Sequence, residues 1–587
     1  MEERPVKRAR LANVNESSLP VQKNHRQYGK TEINGSAPVQ QGDNHGVQIH
    51  YHQQAPAQST ADGGADKYEV LSQSLLFDRI DARVHNIKKA LPKTCKWLFH
   101  HKHFNEWYFG RAVREHNGFL WIKGKPGCGK STIMKTALEW TRAQVQKEGG
   151  DQTTLYYFFN ARAPSSLEKS SLGLYRSLCH QLLCSWPSVK SLFVSKFALK
   201  EPRDSADAWT TDELQDFLSD VVASAEPYCL RIFIDALDEG EREDDVRQMI
   251  SFLVDLSERA LTLNPSFNLR ICLSSRHYPH ISIKKGLSLV VEKQPEHDRD
   301  IDMYVRQKLT GFESGEKDEL RVEVCRKSAS IFLWVVLVVS MLNEIDDRGT
   351  LLIDMRARLD TIPEDLNDLF AEILTKSNYD IEVCIALLQW VLYSTRPLEP
   401  GELYLATEHS RSPADLKWTP PPAMIIPPRD RLTRWILNCS RGLVELASTQ
   451  PPVVQFIHET VRDFLIKSHG LASLLPALSA NLHGLSHEIL KTSCVRYISA
   501  SAIPSDFKCY QTQGYNEYFT RSLPKERLHA ELPFISYSVS SVFYHANEAQ
   551  NHGISQDDFL RSRTDEAGIC QGLELPWWNV FERFRAR

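Results

Sequence analysis

The chain of 587 residues lacks features that define several common protein classes. Its longest apolar stretch, Ile331 to Leu342, spans twelve residues and includes one serine, whereas a membrane-spanning helix needs about 20. The 12 cysteines form no C-x-x-C pair and no paired zinc spacing, and no secretory leader follows Met1. We therefore expect no membrane partner, reduced thiols and a cytoplasmic protein.

An excess of one charge is also missing. The 70 basic and 74 acidic side chains give a net charge of −4. Nucleic-acid binding needs clustered Lys and Arg, and the one basic concentration in residues 380–470 comprises Arg429, Arg431, Arg434 and Arg441. A solvated surface explains these residues equally well, so we do not expect nucleic acid as a partner.

Residues 1–66 contain no Phe, Trp or Cys and are rich in Gln, Asn, Gly and Ser. Such a composition cannot bury enough apolar surface to offset its ordering entropy, which predicts a disordered tail. Lys7–Arg10 resembles a nuclear-import patch, although short basic runs are common. Val47, Ile49 and Tyr51 alternate with polar residues in a manner prone to β-aggregation, and a slightly apolar patch in a tail is the plainer interpretation.

A phosphate-binding loop is the most informative feature that is present. Gly124–Ser131 fits G-x-x-x-x-G-K-[ST] at every fixed position, between a predicted strand at 118–123 and a predicted helix at 131–140. Lys130 is expected to reach the β- and γ-phosphates of ATP or ADP, and the Ser131 hydroxyl to bind Mg²⁺. The predicted nucleotide-binding residues are Gly124, Lys125, Pro126, Gly127, Cys128, Gly129, Lys130, Ser131 and Thr132.

Strand and helix patterns alternate from Thr154 to Leu309, which predicts an α/β P-loop NTPase domain with a parallel sheet and helices on both faces. One predicted strand ends at Asp235, which would face the loop and bind Mg²⁺. Asp238 or Glu239 is a candidate general base, although an acidic run continues beyond them. Arg276, at the end of the predicted strand 269–273, is a candidate sensor of the γ-phosphate.

Beyond residue 312 strand patterns nearly vanish, and two or three helices are expected before residue 378. The predicted organisation is a disordered tail at 1–66, a P-loop NTPase domain with its lead-in helices at 67–312, a helical domain at 313–379, a winged-helix-like domain at 380–470, and a helical and irregular region at 471–587. The lead-in includes an expected helix beginning near Phe77, capped by Asp78 and carrying Ile80, Val84, Ile87 and Leu91.

In this order, the motifs resemble those of the NACHT and nephrocystin-like P-loop domains of the STAND class, the signal-transducing ATPases of NOD-like receptors. Asp235-Ala-Leu-Asp-Glu239 is similar to their acid cluster, and Ser274-Ser-Arg-His-Tyr-Pro279 to their sensor strand end. Phe77-Asp-Arg-Ile-Asp-Ala-Arg83 and Lys93–Leu98 resemble the lead-in helices common in fungal members.

The resemblance extends to Gln455–Leu465, which is similar to the winged-helix segment of these switches. In that family a histidine contacts the β-phosphate of ADP and holds a closed state, which implies such a role for His458. On residues alone, a lone histidine in an apolar stretch is more often structural. This chain has Glu459 where plant relatives carry an aspartate.

The resemblance implies a switch that is locked by ADP, opens and self-associates with ATP, and is reset by slow hydrolysis. It also implies signalling to a protein effector in an innate-immunity or incompatibility-type response. An ordinary P-loop ATPase or nucleotide kinase is one alternative, and an ATPase that loads on DNA through a winged helix is another. Neither an N-terminal effector domain nor C-terminal repeats are evident, so the signal and the effector stay open.

Overall fold

The structure is a computed structural model. It describes residues 63–77, 80–163, 165–200, 209–224, 228–264, 266–277, 283–310, 314–347, 351–375, 381–410, 426–447, 449–500 and 532–564. The expectations for residues 1–62, including Lys7–Arg10 and Val47–Tyr51, and for the Asp78 cap lie outside these residues.

Residues 63–310 alternate helices with five strands. In chain order these elements are α1 (Gly63–Gln73), α2 (Ala82–Asn86), α3 (Lys102–Phe109), α4 (Val113–His116), β1 (Phe119–Lys123), α5 (Lys130–Glu148), β2 (Gln152–Phe158), α6 (Ser171–Ser185), α7 (Val189–Lys196), α8 (Thr211–Ser224), β3 (Tyr228–Asp235), α9 (Glu243–Leu263), β4 (Phe267–Ser275), β5 (Leu287–Val290) and α10 (Pro295–Lys308).

The five strands form one sheet in the order β2-β3-β4-β1-β5, with every neighbouring pair parallel. Side chains of β1 alternate between two cores: Phe119 and Trp121 pack on one face, and Leu120 and Ile122 on the other. Because helices cover both faces, nearly every position of the three central strands β3, β4 and β1 is buried, and these strands are largely apolar. The predicted α/β P-loop fold is confirmed.

Helices dominate the rest of the described chain. The elements are α11 (Ser314–Lys327), α12 (Phe332–Asp346), α13 (Leu352–Thr361), α14 (Leu366–Thr375), α15 (Ile381–Tyr393), α16 (Pro400–Ser410), α17 (Arg429–Cys439), β6 (Val444–Leu446), β7 (Val454–Phe456), α18 (Glu459–Lys467), α19 (Gly470–Leu474), α20 (Leu482–Ala500), α21 (Ile535–Asn551) and α22 (Asp557–Thr564). Three helices, the antiparallel hairpin β6–β7 and α18 follow the order of a winged helix, and we call residues 381–467 the winged-helix region.

The described residues between Ile301 and Val542 share one large core, which joins α10 to α21. It includes Trp334 on α12, Trp390 on α15 and Tyr537 on α21, all fully buried. The winged-helix region is therefore packed continuously with the helices on either side of it.

Two expectations about helices were wrong. The apolar spacing from Ile80 to Leu91 produces only the five-residue α2, because the backbone becomes extended at Ile87. Val84 and Ile87 are nevertheless buried against the sheet, so the spacing marked core positions rather than a long helix. The described part of residues 313–379 contains four helices, α11 to α14, instead of two or three. No helix in the described residues is long and apolar enough to cross a bilayer.

Candidate nucleotide-binding site

The P-loop connects β1 to α5 at the carboxyl edge of the sheet. Gly127 and Gly129 have φ of +74° and +96°, which favour glycine and turn the loop into the first turn of α5. The first N–H groups of a helix have no intrahelical acceptors, so Lys130, Ser131 and Thr132 present donors suited to phosphate oxygens. The Lys130 ammonium donates to the carbonyl oxygens of Gly124 and Lys125, both at 2.9 Å.

Asp235, the last residue of β3, is completely buried beside this loop. The Ser274 hydroxyl on β4 donates to Asp235 Oδ1 and accepts from the Ala236 N–H at 3.0 Å, whereas Asp235 Oδ2 has no hydrogen-bond partner among the residues that the structure describes. Burial raises the pKa of Asp235, and the hydroxyls of Ser131 and Ser274 partly offset this. A buried carboxylate oxygen next to a P-loop serine is a donor set that suits Mg²⁺.

The two candidate bases are both engaged. Glu239 Oε1 accepts from Arg83 Nη2 at 3.2 Å, and Oε2 accepts from the Ala161 N–H at 3.1 Å. Asp238 Oδ1 accepts from the Arg276 N–H at 2.9 Å. Burial raises the pKa of Asp238, although Arg276 opposes the shift. Each carboxylate is thus paired with an arginine, and their catalytic role stays a prediction.

Arg276 joins the P-loop domain to the winged-helix region. Its Nε lies 2.8 Å from Asp238 Oδ2, and its Nη1 lies 2.6 Å from Asp463 Oδ2 on α18. Burial alone would raise the pKa of Asp463, but Lys467 and Arg276 lower it overall, so this carboxylate is held in its charged form. The predicted sensor arginine therefore bridges an acid of the P-loop domain and an acid 187 residues further along the chain.

His458 caps the amino end of α18, where its Nδ1 accepts from the Thr460 N–H at 3.1 Å. A neutral imidazole that accepts through Nδ1 carries its proton on Nε2, which has no hydrogen-bond partner among the described residues. Burial lowers the pKa of His458 to about 3, and the nearby cations Arg83, Lys130 and Arg276 reinforce this. The ring is therefore a neutral donor that lies among the cations of the P-loop edge.

Glu459, the next residue, faces the same edge. Its Oε1 lies 3.4 Å from Arg462 Nη1, and its buried Oε2 has no hydrogen-bond partner within the described ranges. Burial raises the pKa of Glu459 to about 7, and the negative charge of Glu239 adds to the rise. Two carboxyl groups thus lie close enough to repel each other where α18 meets the P-loop domain.

The amino end of α12 lies on the P-loop from another direction. The Leu333 N–H donates to the Gly127 carbonyl at 2.9 Å, and a side chain at Gly127 would lie 3.0 Å from Leu333 Cβ. Lys125 Nζ also lies 3.5 Å from the Ala329 carbonyl, although Lys125 and Pro126 are exposed. The Cys128 side chain is buried in the core beneath the loop.

The structure therefore brings the P-loop, Asp235, Asp238, Glu239, Arg276 and His458 to one edge of the sheet. It also places Arg83 and Asp463 there, and the sequence analysis assigned no role to either. Arg83 is the last residue of segment 77–83, which also contains Arg79, and its position next to the apolar Val84 was its only signal. The predicted basic concentration divides, because Arg441 donates to the Ile373 carbonyl at 3.3 Å while Arg429, Arg431 and Arg434 are exposed.

Residues 93–276 match the family described as Nephrocystin 3, N-terminal. The match begins in the lead-in, covers the P-loop and the acid cluster, and ends at Arg276. It confirms the nephrocystin-like resemblance for the P-loop domain. A search of curated proteins returned no match.

Several solved structures are similar at low scores. The Aeropyrum pernix ORC1 protein in complex with DNA is 12% identical, with 68% of this chain and 96% of that chain covered and a TM-score of 0.30. Drosophila ORC bound to DNA is 14% identical, with coverage of 73% and 96% and a TM-score of 0.30. The Aeropyrum pernix ORC2 protein in ADPNP-ADP complexes is 14% identical, with coverage of 68% and 99% and a TM-score of 0.30. The expectation that nucleic acid is not a partner stays a prediction.

Proposed function

We propose that the protein is an ATP- and ADP-binding switch of NOD-like receptor type, in which the bound nucleotide controls the contact between the P-loop domain and the winged-helix region. The observation that carries this proposal is the position of His458. His458 belongs to the winged-helix region, and its Nε2–H has no hydrogen-bond partner among the described residues. The charge of Lys130 on the P-loop nevertheless acts on the ring and helps to lower its pKa. A phosphate bound by Lys130 would gain a donor from a second region of the chain.

The residues at the edge fit a nucleotide with Mg²⁺. Lys130 and the first turn of α5 would bind phosphate oxygens, and Ser131 and Asp235 would hold the metal, which supplies charge neutralisation when it is bound. Asp235 Oδ2 has no hydrogen-bond partner in the described part of the chain, and a cation would compensate this buried oxygen. The acids and Arg276 would then determine how firmly α18 is retained.

An ordinary ATPase or nucleotide kinase gains less support from the same residues. Fast turnover requires a base that is directed at the attacking water, and in this structure Asp238 and Glu239 are each shared with an arginine. In a switch, slow hydrolysis suffices because it only resets the state. We propose that opening of the α18 contact allows the chain to self-associate and to signal to a protein effector.

The test has two parts. The first identifies any nucleotide that co-purifies with the full chain, and the second measures the mass of the protein by light scattering with Mg-ADP and with Mg-ATP. We expect retained ADP, and a mass increase with ATP alone. Nucleotide at about 100 times its dissociation constant should stabilise the wild type by about 2.7 kcal/mol. Lys130→Ala should lose that stabilisation. A monomer that turns over ATP rapidly in both conditions would overturn the switch in favour of an enzyme.

A further inference from the structure

Arg83 is a buried cation whose hydrogen-bonding capacity is largely unused. The residue is 9% exposed, and its contact with Glu239 uses Nη2 alone. Its Nε is buried without a partner, and Nη1 has none in the described part of the chain. A guanidinium carries five N–H donors, and donors that are removed from water without an acceptor are costly.

The hydrogen bond from Arg83 to Glu239, the one that Arg83 makes within the described residues, is long. Its Nη2 lies 3.2 Å from Glu239 Oε1, whereas a charge-assisted N–H···O bond is usually about 2.7–2.9 Å. Glu239 also accepts from the Ala161 N–H, so the carboxylate does not depend on Arg83 alone. A better acceptor placed near Arg83 could take the guanidinium from Glu239.

The surroundings of α2 hold Arg83 in position. Tyr156 OH donates to Asp81 Oδ1 at 2.8 Å just before α2, and Lys135 Nζ on α5 donates to the Ile87 carbonyl at 2.7 Å just after it. Lys135 lies five residues beyond Lys130 on the same helix, about 7.5 Å along its axis. The lead-in is thus attached to the helix that begins at the P-loop.

Arg83 also acts on both sides of the nucleotide edge. Its positive charge opposes the rise that burial causes in the pKa of Asp235 at the end of β3. The same charge adds to the lowering of the pKa of His458 at the start of α18. For His458, Arg83 is the strongest of the three cations that act on the ring. The charge of the guanidinium therefore acts on both the candidate metal ligand and the candidate phosphate donor.

We propose that Arg83 is a phosphate-binding residue, whose guanidinium contacts the terminal phosphate of the bound nucleotide and releases Glu239 when it does so. This inference rests on the proposed nucleotide-binding function. A terminal phosphate offers three acceptor oxygens, which match the unused donors of Arg83.

The experiment measures dissociation constants of Mg-ADP, Mg-ATP and AMP by calorimetric titration of the full chain. Arg83→Gln should weaken the binding of both ADP and ATP about ten- to hundred-fold and change AMP binding less. Arg231→Gln is the matched control. Arg231 is 6% exposed and also has an unpartnered Nε, but it lies four residues before Asp235 on β3, about 13 Å from the edge. Its binding constants should match those of the wild type.

Glu239→Gln distinguishes a phosphate contact from a purely structural ion pair. If Arg83 binds phosphate, removal of its competitor should leave nucleotide affinity unchanged or increase it, although the free protein melts lower. A loss of affinity in Glu239→Gln equal to that in Arg83→Gln would overturn the proposal. So would a loss in Arg83→Gln no larger than that in Arg231→Gln.

Two further outcomes are informative. If Arg83→Gln melts at too low a temperature to be titrated, Arg83→Lys replaces it, because lysine keeps the charge without the forked guanidinium. We expect Arg83→Lys to lose ADP and ATP affinity several-fold. Wild-type affinity in both Arg83→Lys and Glu239→Gln would overturn the phosphate-binding role. A wild-type chain that binds no nucleotide would overturn the proposed function and this inference together. A wild type that binds tightly, with an Arg83→Gln variant that binds equally, would overturn this inference alone.

Discussion

The P-loop domain meets the following regions at two junctions of different chemistry. At the α12 junction, formed by Ile331 and Leu333 against Gly127, apolar atoms and one backbone hydrogen bond make the contact. At the α18 junction, formed by His458, Glu459 and Asp463 against the acid cluster and Arg276, charged and polar side chains make it. Apolar packing changes little with ligand or pH, whereas a cluster of charges responds to both. The first junction is therefore suited to be permanent and the second to be released.

Gly127→Val should break the α12 junction and have the largest effect. A Cβ at this position would lie 3.0 Å from Leu333 Cβ and 3.3 Å from Ile331 Cγ2, on a backbone with φ of +74°. Overpacking and the left-handed conformation together should lower the free energy of unfolding by about 2–5 kcal/mol. Urea denaturation without nucleotide measures the loss.

Gly129→Val is the control for that experiment. Gly129 has φ of +96°, and a Cβ there would meet nothing within 4 Å. It should therefore cost only the conformational strain, about 1–2 kcal/mol. Equal losses in the two variants would show that Leu333 and Ile331 do not define a packed junction.

His458→Ala should shift the α18 junction toward release. Its Nε2–H would contact phosphate only in the closed state, so a bond worth about 1.5–3 kcal/mol changes the populations about ten- to hundred-fold. We expect faster loss of ADP, nearly unchanged ATP affinity and a larger oligomeric fraction, as measured by nucleotide dissociation and light scattering.

His458→Asn separates this contact from the helix cap. Asparagine keeps an N-cap acceptor for α18, so His458→Asn should preserve the melting temperature of the free protein. His458→Ala removes the cap and should lower the free energy of unfolding by about 1 kcal/mol. Both variants should lose ADP retention. If ADP retention follows the melting temperature instead, His458 is a capping residue only.

Glu459 should make the α18 junction sensitive to pH. Its folded-state pKa is raised to about 7, so the folded state retains a proton that the unfolded chain releases near pH 4.5. This contribution is complete below the unfolded pKa and is lost as the pH rises through 7. Asp463 behaves in the opposite way, because its pKa is lowered in the folded state. Its contribution to stability is present at any pH above its unfolded pKa and is lost only in acid.

From pH 5.5 to pH 8.5 we therefore expect a loss of about 1–3 kcal/mol that is absent in Glu459→Gln. Urea denaturation at the two pH values tests this. Glu445→Gln, on the neighbouring strand β6, should keep the wild-type slope. An unchanged slope in Glu459→Gln would assign the dependence to another group.

Lys88→Ala should have the smallest effect. Lys88 Nζ lies 2.7 Å from Glu445 Oε2 and links the lead-in to β6, but the lysine side chain is 81% exposed. Exposed ion pairs contribute about 0.2–1 kcal/mol, so the free energy of unfolding of the variant, measured by urea denaturation, should lie within about 0.5 kcal/mol of the wild-type value. A larger loss would mean that this ion pair contributes more to the contact between the lead-in and β6 than its exposure predicts.

Local signals predicted much of the P-loop domain. The apolar runs of β1, β3 and β4 and the loop at 124–131 were found because strand burial and phosphate-loop geometry are encoded within about ten residues. The lead-in was predicted less well. Its apolar spacing has several explanations, and only contact with the sheet determines that Val84 and Ile87 follow a short helix and an extended segment.

The sequence by itself determined that a phosphate loop, an acid at a strand end and a histidine at a helix start exist in this chain. Only the tertiary structure decided which of them meet. Arg83 and Glu239 are 156 residues apart, and Arg276 and Asp463 are 187 apart. No local pattern specifies such pairs, because the charges are ordinary along the chain and become partners only when the packing of α2 and α18 against the sheet buries them together.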